Sequence, residues 1–139
     1  MDRPGEEIAS QRCWELLGTT SIGCLALSVQ ALPVILPVQY YLTGHRLTVC
    51  LGHRAIPERS LNDAIIAFTA DVIDTASKSG WSVQIQGRSS IRREGGLGPP
   101  CGLPAAEQVV EIETGTITGH YVRLCPFIDV RTLKPRASE

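Results

Sequence analysis

The stretch Ser79-Gly80-Trp81-Ser82-Val83-Gln84-Ile85-Gln86-Gly87-Arg88 decides the fold of this chain. Apolar Val83 and Ile85 alternate with polar residues, which is the period of a strand with one buried face. Ser79-Gly80 predicts a turn before the strand. Gly87 predicts a bulge or a close backbone contact within it.

Trp81 stands at the mouth of this strand, directly after a glycine. Its indole is a large flat surface with a hydrogen-bond donor at the edge, and flat heteroaromatic ligands bind to such surfaces. The same ring would also suit a plug at the end of a barrel core. The residues alone leave both interpretations open.

Working outward from this strand, the chain consists of short apolar runs separated by turn residues. The predicted strands are residues 23–29, 34–41, 46–51, 65–70, 81–92 and 119–125, with residues 127–133 as a seventh segment. Predicted helices are residues 6–17, a short helix after Pro57, and residues 104–112. Residues 71–80 and 92–100 are predicted loops. The pattern predicts a mainly β protein: a six- or seven-stranded antiparallel barrel with two or three short helices at its ends.

Residues 16–44 contain no charged side chain, and that length would allow a membrane-spanning helix. Pro33 and Pro37 lie inside the stretch, as do Gln30 and Gln39. We therefore interpret it as a buried hairpin of two strands, with a membrane span as the lesser alternative. Pro37 suits a strand edge, a bulge or a strand switch.

Length and charge restrict the class of protein. With 139 residues, the chain predicts one domain over residues 1–139, with tails at 1–5 and 134–139. The formal net charge is −1 and the pI is about 6.3, so we expect neither a nucleic-acid nor a membrane partner. Residues 1–7 contain no apolar signal core, which predicts a cytoplasmic protein.

The five cysteines are scattered and odd in number, which argues against a secreted disulfide framework and favours a reducing compartment. None stands at metal-knuckle spacing from another, so we expect no metal site. The cysteines are Cys13, Cys24, Cys50, Cys101 and Cys125. No Ser-His-Asp order, paired carboxylates or phosphate-binding glycine loop predicts a catalytic residue, and the catalytic residues stay unknown.

Four runs stand in a characteristic order. They are Leu16-Leu17 with Gly23 and Leu25-Ala26, then Pro37-Val38-Gln39-Tyr40, then Ile66-Ala67-Phe68-Thr69-Ala70-Asp71, and finally Ser79-Gly80-Trp81-Ser82-Val83 with Gly87-Arg88. Together they resemble the pyridoxamine 5′-phosphate oxidase-related proteins, the FMN-binding split β-barrel group. The closest-looking branch contains small bacterial proteins. The resemblance extends from about Cys13 to Leu133.

The resemblance implies a homodimer with FMN in a groove at the dimer interface. By analogy, Val38, Gln39 and Tyr40 would follow the isoalloxazine and ribityl chain, and Trp81 and Ser82 would meet the flavin from another strand. A flavin needs a flat apolar slot, hydrogen-bond donors near its ring edge and cations for its phosphate.

The phosphate end departs from the family pattern. Counted back from Phe68, the family's threonine position is Leu51 and its lysine position is Ile56. Arg54, Arg59 and His53 are near in sequence and could replace them, and a guanidinium binds phosphate well. Two further family arginines are altered: one is Cys24 here, and only Arg131 remains of a pair near the end.

Three functional hypotheses follow from the resemblance. The first is an FMN-dependent oxidoreductase that passes hydride or electrons between reduced flavin and a small acceptor. The second is a non-catalytic protein on the same barrel that binds flavin, the deazaflavin F420 or haem. The third is a degenerate dimer without a cofactor. The altered phosphate turn favours the last two, and the intact Trp81-Ser82-Val83 run favours the first two.

Overall fold

Six strands and two short helices make up the part of the chain that the computed structural model describes, residues 5–51, 56–92 and 108–124. The elements are α1 (Ser10–Leu17), β1 (Ile22–Val29), β2 (Leu32–Thr43), β3 (Arg46–Leu51), α2 (Glu58–Leu61), β4 (Ala64–Asp74), β5 (Ser79–Ile91) and β6 (Gln108–Arg123). All strand pairs are antiparallel, and the strands close into a barrel in the order β1-β2-β3-β6-β5-β4. The predicted mainly β barrel is confirmed.

β5 is the strand predicted from the stretch quoted above, and it pairs with β6 over its whole length and with β4 from Ser79 to Ser89. Its register with β6 shifts between Gln86 and Gly87, so the predicted bulge is confirmed. A Cβ atom on Gly87 would lie 2.1 Å from the carbonyl oxygen of Glu113. Glycine is required here because any side chain would push β6 away.

The predicted loop at residues 71–80 is wrong at both ends. β4 continues to Asp74 and β5 begins at Ser79, so the turn comprises only residues 75–78. Gly80 lies inside the ladder opposite Ile73, and a Cβ atom there would lie 1.8 Å from the carbonyl oxygen of Val72. Gly80 thus permits close strand contact rather than forming the predicted turn.

The predicted helix at 104–112 is also wrong where it can be compared, because Gln108 begins β6. Val110 and Ile112 are fully buried and alternate with less buried neighbours, and β-branched residues favour a strand. The first helix begins at Ser10 rather than at residue 6, and Glu7 instead forms a β-bridge with His120. The predicted segment 127–133 lies outside the described residues.

The uncharged stretch is the β1–β2 hairpin, as predicted. In the part of the chain that the structure describes, no helix is long and apolar enough to cross a membrane. β2 pairs with β1 up to Gln39 and with β3 from Gln39 onward. Pro37 lies on the half of β2 that has no β3 partner, so the missing N–H costs no ladder hydrogen bond on that side.

Tyr40 joins this hairpin to α1. Its side chain is only 2 % exposed, and its hydroxyl donates a 2.7 Å hydrogen bond to the carbonyl oxygen of Leu17 and is also hydrogen-bonded to Thr20. Its ring meets Phe68 edge-on, with centroids 4.9 Å apart. Burial raises the pKa of the Tyr40 phenol, while the bond to Thr20 lowers it.

The β1–β2 turn yields a stability prediction. Gln30 and Ala31 have φ angles of 52° and 65°, the left-handed conformation that two-residue hairpins need and that Asn-Gly adopts best. The double change Gln30→Asn and Ala31→Gly should raise the free energy of unfolding by about 1 kcal/mol. Gly44→Ala is the control of opposite sign, because Gly44 has a φ of 61° in the next hairpin. Urea denaturation measures both, and a destabilised double variant would contradict this account of the turn.

Tyr40→Phe should lower the free energy of unfolding by about 1–2 kcal/mol, because the Leu17 carbonyl loses its donor in a buried site. The folded state raises the phenol pKa above its ordinary value of 10.0 and so favours the protonated form. The contribution of the Tyr40 phenol to the free energy of unfolding is complete below pH 10.0 and declines as the pH rises through the raised pKa. Urea denaturation between pH 8 and 11 should therefore show that the free energy of unfolding falls less steeply with pH in the variant than in the parent protein. An identical fall in both proteins would refute the raised pKa of Tyr40.

Candidate functional site

A row of outward-facing residues crosses one side of the barrel and joins two of the predicted site residues. Gln39 pairs with Ile22. The β1–β4 pairing ends at Cys24 opposite Thr69, and the same register extended by two residues sets Ile22 level with Asp71. Asp71 in turn pairs with Ser82. Two strands separate Gln39 from Ser82, so their Cα atoms lie about 14 Å apart along the surface. The outward row is Gln39 on β2, Ile22 on β1, Asp71 on β4, Ser82 on β5 and His120 on β6.

The other strand residues of the predicted site face the barrel interior. Val38 and Tyr40 are 4 % and 2 % exposed and belong to the core. Trp81 lies on the same face of β5 as Val83 and is half-buried against the core. Its neighbours across the strands are Val72 and Tyr121. The ring therefore closes one end of the barrel, and its flavin contact stays a prediction.

Arg59 lies at the opposite end of the barrel. It is an exposed residue of α2, which ends just before β4 begins at Ala64. Trp81 pairs with Val72, so about 26 Å of strand separates the two ends. Within one protomer, Arg59 is thus remote from Trp81 and Ser82. Arg54 and His53 lie outside the described residues.

The two altered family positions have apolar, buried side chains. Leu51 ends β3 and is 1 % exposed, and Ile56 is 5 % exposed. The side-chain amide of Gln108 holds the backbone of Ile56 at both polar groups: Ile56 N donates to Oε1 at 3.2 Å, and Nε2 donates to the Ile56 carbonyl at 2.7 Å. Ile56, which occupies the position of the family's lysine, therefore has a fixed backbone but no charged side chain that could bind a phosphate.

The structure adds a polar cluster that sequence reasoning missed. The Arg92 Nη1 donates a 3.0 Å hydrogen bond to the Tyr41 hydroxyl, and its Nε lies 3.9 Å from Glu111 Oε1. Arg46 Nη1 lies 3.4 Å from the other oxygen of Glu111. Between Tyr41 and Glu111 in the sheet, Thr48 faces outward yet is only 3 % exposed. No local pattern could have revealed this cluster, because its members come from four different strands or strand ends.

An apolar face adjoins the outward row on β2, β1 and β4. Ile22, Ile35 and Ile65 are each about 70 % exposed there, at 68 %, 70 % and 68 %. Cys24 and Ala67 are smaller residues between them, and they line a shallow cleft of about 180 Å³. Exposed apolar surface of this kind marks an interaction site.

Chemically, the outward row offers amide and hydroxyl groups at Gln39 and Ser82, and the polar cluster at the far end of β5 offers a half-buried guanidinium at Arg92. Among the described residues, no three His, Cys, Asp or Glu side chains form a group that could hold a metal ion. Amide and hydroxyl groups can bind polar atoms of a ligand, and a guanidinium can bind an anionic group.

Comparisons with solved structures give the same architecture. An FAD-binding protein from Mycobacterium smegmatis is 20 % identical with a TM-score of 0.67, over 85 % of this chain and 98 % of that one. A conserved protein of unknown function from Corynebacterium diphtheriae is 22 % identical with a TM-score of 0.67, over 88 % and 100 %. An FAD- and haem-binding protein from M. smegmatis is 15 % identical with a TM-score of 0.61, over 90 % and 77 %. At these identities the likeness establishes the fold alone.

A search of curated protein sequences gives no match. The family model described as pyridoxamine 5′-phosphate oxidase, in contrast, matches residues 9–96, which is more than half of the chain. This range extends from α1 to the end of β5 and includes every predicted site residue. The chain therefore belongs to the pyridoxamine 5′-phosphate oxidase family.

Proposed function

We propose that this protein is a homodimeric, FMN-binding flavoprotein that passes hydride or electrons from the reduced flavin to a small acceptor. The observation that carries the proposal is the outward row, in which Gln39 and Ser82 stand on either side of Ile22 and Asp71 beside an exposed apolar face. Solved structures described as FAD-binding proteins support a flavin as the ligand class.

The residues of the row fit the needs of a flavin ring. The Gln39 amide is half-buried and offers both a hydrogen-bond donor and an acceptor. The Ser82 hydroxyl is also half-buried and can both donate and accept a hydrogen bond. The ring edge of a flavin carries carbonyl oxygens and nitrogens that need such partners. A bound flavin supplies the redox chemistry, and the chain's own residues bind it, orient it and exclude water.

The apolar face is the proposed contact with a second copy of the chain. Its central residues, Cys24, Ala26 and Ala67, are small, so another sheet could approach closely, while three exposed isoleucines would be buried around them. A dimer would also bring residues of two protomers to one ligand. This matters because Arg59 is far from Ser82 within a protomer. Cys13, Cys24 and Cys50 are thiols rather than disulfides, which is consistent with the expected cytoplasmic location.

The first test is a flavin titration of the purified protein. We expect a flavin absorbance spectrum, or saturable quenching of tryptophan fluorescence by micromolar FMN. Gln39→Ala and Ser82→Ala should each weaken FMN and riboflavin alike, by about two- to tenfold, because each removes one ring contact. Ser28→Ala is the matched control, since Ser28 is exposed at the other end of β1.

A protein that ignores FMN would overturn this proposal and leave F420, haem or no cofactor. If FMN binds, oxidation of NADH or NADPH with a quinone or nitro acceptor tests turnover. Binding without turnover would contradict the oxidoreductase role and leave a flavin-binding protein.

The second test concerns the dimer. Ile35→Glu places a charge on the apolar face and should convert the dimer to a monomer in sedimentation or light scattering. The same variant should lose FMN affinity if the ligand lies between protomers. Leu124→Glu is the control, because Leu124 is 47 % exposed beyond the end of β6. A monomeric parent protein, or an Ile35→Glu variant that stays dimeric, would refute this interface.

A further inference from the structure

We propose that Arg92 binds the phosphate of the flavin and so replaces the missing lysine of the phosphate turn. The inference rests on the proposed function and names the group that would make this site prefer a phosphorylated flavin to riboflavin. It assigns a role to a residue that the family pattern does not mark.

The first argument is position. From Gln39, the cross-strand neighbours continue to Cys50 on β3 and then to Val109 on β6. The backbone N–H of Arg92 donates to the Val109 carbonyl at 2.8 Å, so Arg92 continues the same series. The outward row and this series together run once around the barrel. They begin at Ser82 near the start of β5 and, because the strands are staggered, return to β5 at Arg92, just beyond its other end. Arg92 therefore lies three strands from Gln39, in the direction away from Ser82, and about 33 Å of strand separates it from Ser82 within a protomer. Arg92 can thus share a ligand with Gln39, and only the proposed dimer would bring a Ser82 to the same ligand.

The second argument is orientation. Arg92 is 28 % exposed, and its guanidinium is held by the Tyr41 hydroxyl and the Glu111 carboxylate. Tyr41 is the next outward residue after Gln39 on β2, so the guanidinium extends toward the strand that carries Gln39. A guanidinium has five N–H donors in a fixed fork, and these two contacts leave it able to bind a phosphate with other donors.

The third argument is charge. Arg46 shares Glu111 with Arg92, so two guanidinium groups contact one carboxylate, and Glu111 is not the exclusive partner of either. The Glu111 contacts are long, at 3.4 Å and 3.9 Å, and an anionic ligand could compete for them. Arg92 is also less exposed than Arg46, whose side chain is 63 % exposed, and is screened less by water.

The fourth argument is proximity to the altered turn. Val109, which accepts the backbone hydrogen bond of Arg92, directly follows Gln108, whose amide holds Ile56. The adjoining Ile91 N–H donates to Asn62 Oδ1 at 3.2 Å, which fixes the end of α2 beside the end of β5. Arg92 thus stands in the same corner as the position that carries the family's lysine, and its guanidinium supplies the positive charge that Ile56 lacks.

The experiment compares the affinities of FMN and riboflavin for the full-length protein and its variants. Arg92→Gln should weaken FMN roughly 10- to 100-fold, as expected for the loss of a charged hydrogen bond, and leave riboflavin unchanged. Arg92→Lys should retain part of the preference for FMN, because it keeps the charge but loses the fork. Arg88→Gln is the control, since Arg88 is an exposed arginine of the same strand, paired with Asp63 at 2.7 Å.

The preference of the parent protein for FMN should also decline with added salt, and Arg92→Gln should show less of that decline. Equal losses of FMN and riboflavin in Arg92→Gln would assign Arg92 a structural role and overturn the inference. So would an unchanged FMN affinity, or a parent protein that binds both flavins equally, and in those cases the proposed function stands. A parent protein that binds neither flavin overturns the proposed function as well.

Discussion

Closure of the barrel between β1 and β4 is the contact on which the other features depend. The register joins only three residue pairs, from Cys24 opposite Thr69 to Ala26 opposite Ala67. Gly23 makes this approach possible, because a Cβ atom there would lie 2.4 Å from the Phe68 ring and 2.6 Å from the Thr69 carbonyl. Without this short seam, Gln39 and Ser82 would be connected only through β3 and β6, whose register places Gln39 level with Arg92 rather than with Ser82.

Barrel closure also divides the side chains of each strand between two functions. Inward residues such as Val38, Tyr40 and Trp81 fill or close the interior, while outward residues such as Gln39 and Ser82 are available to a ligand. A stretch of adjacent sequence therefore cannot supply a continuous wall of side chains. The proposed site instead takes one residue from each of several strands.

The positive charge at the proposed phosphate site also depends on tertiary structure. The turn position that would carry an ammonium holds Ile56, which is buried and fixed by Gln108. The half-buried Arg92, oriented by Tyr41 and Glu111, lies in the same corner. A ligand phosphate needs positive charge at a position in space, and the tertiary structure can deliver that charge from a different strand.

The sequence by itself determined the β class, the meander, the bounds of β3 and the bulge at Gly87, because alternation and glycine placement are local properties. It also determined the family, through runs whose order survives within residues 9–96. It misjudged residues 71–80 and 108–112, where pairing with neighbouring strands outweighed turn and helix signals. Only the tertiary structure decided that Trp81 faces inward, that Arg59 lies far from Ser82, and that Arg92 reaches Tyr41. These facts depend on strand register and barrel closure, which bring together residues that are distant in the chain.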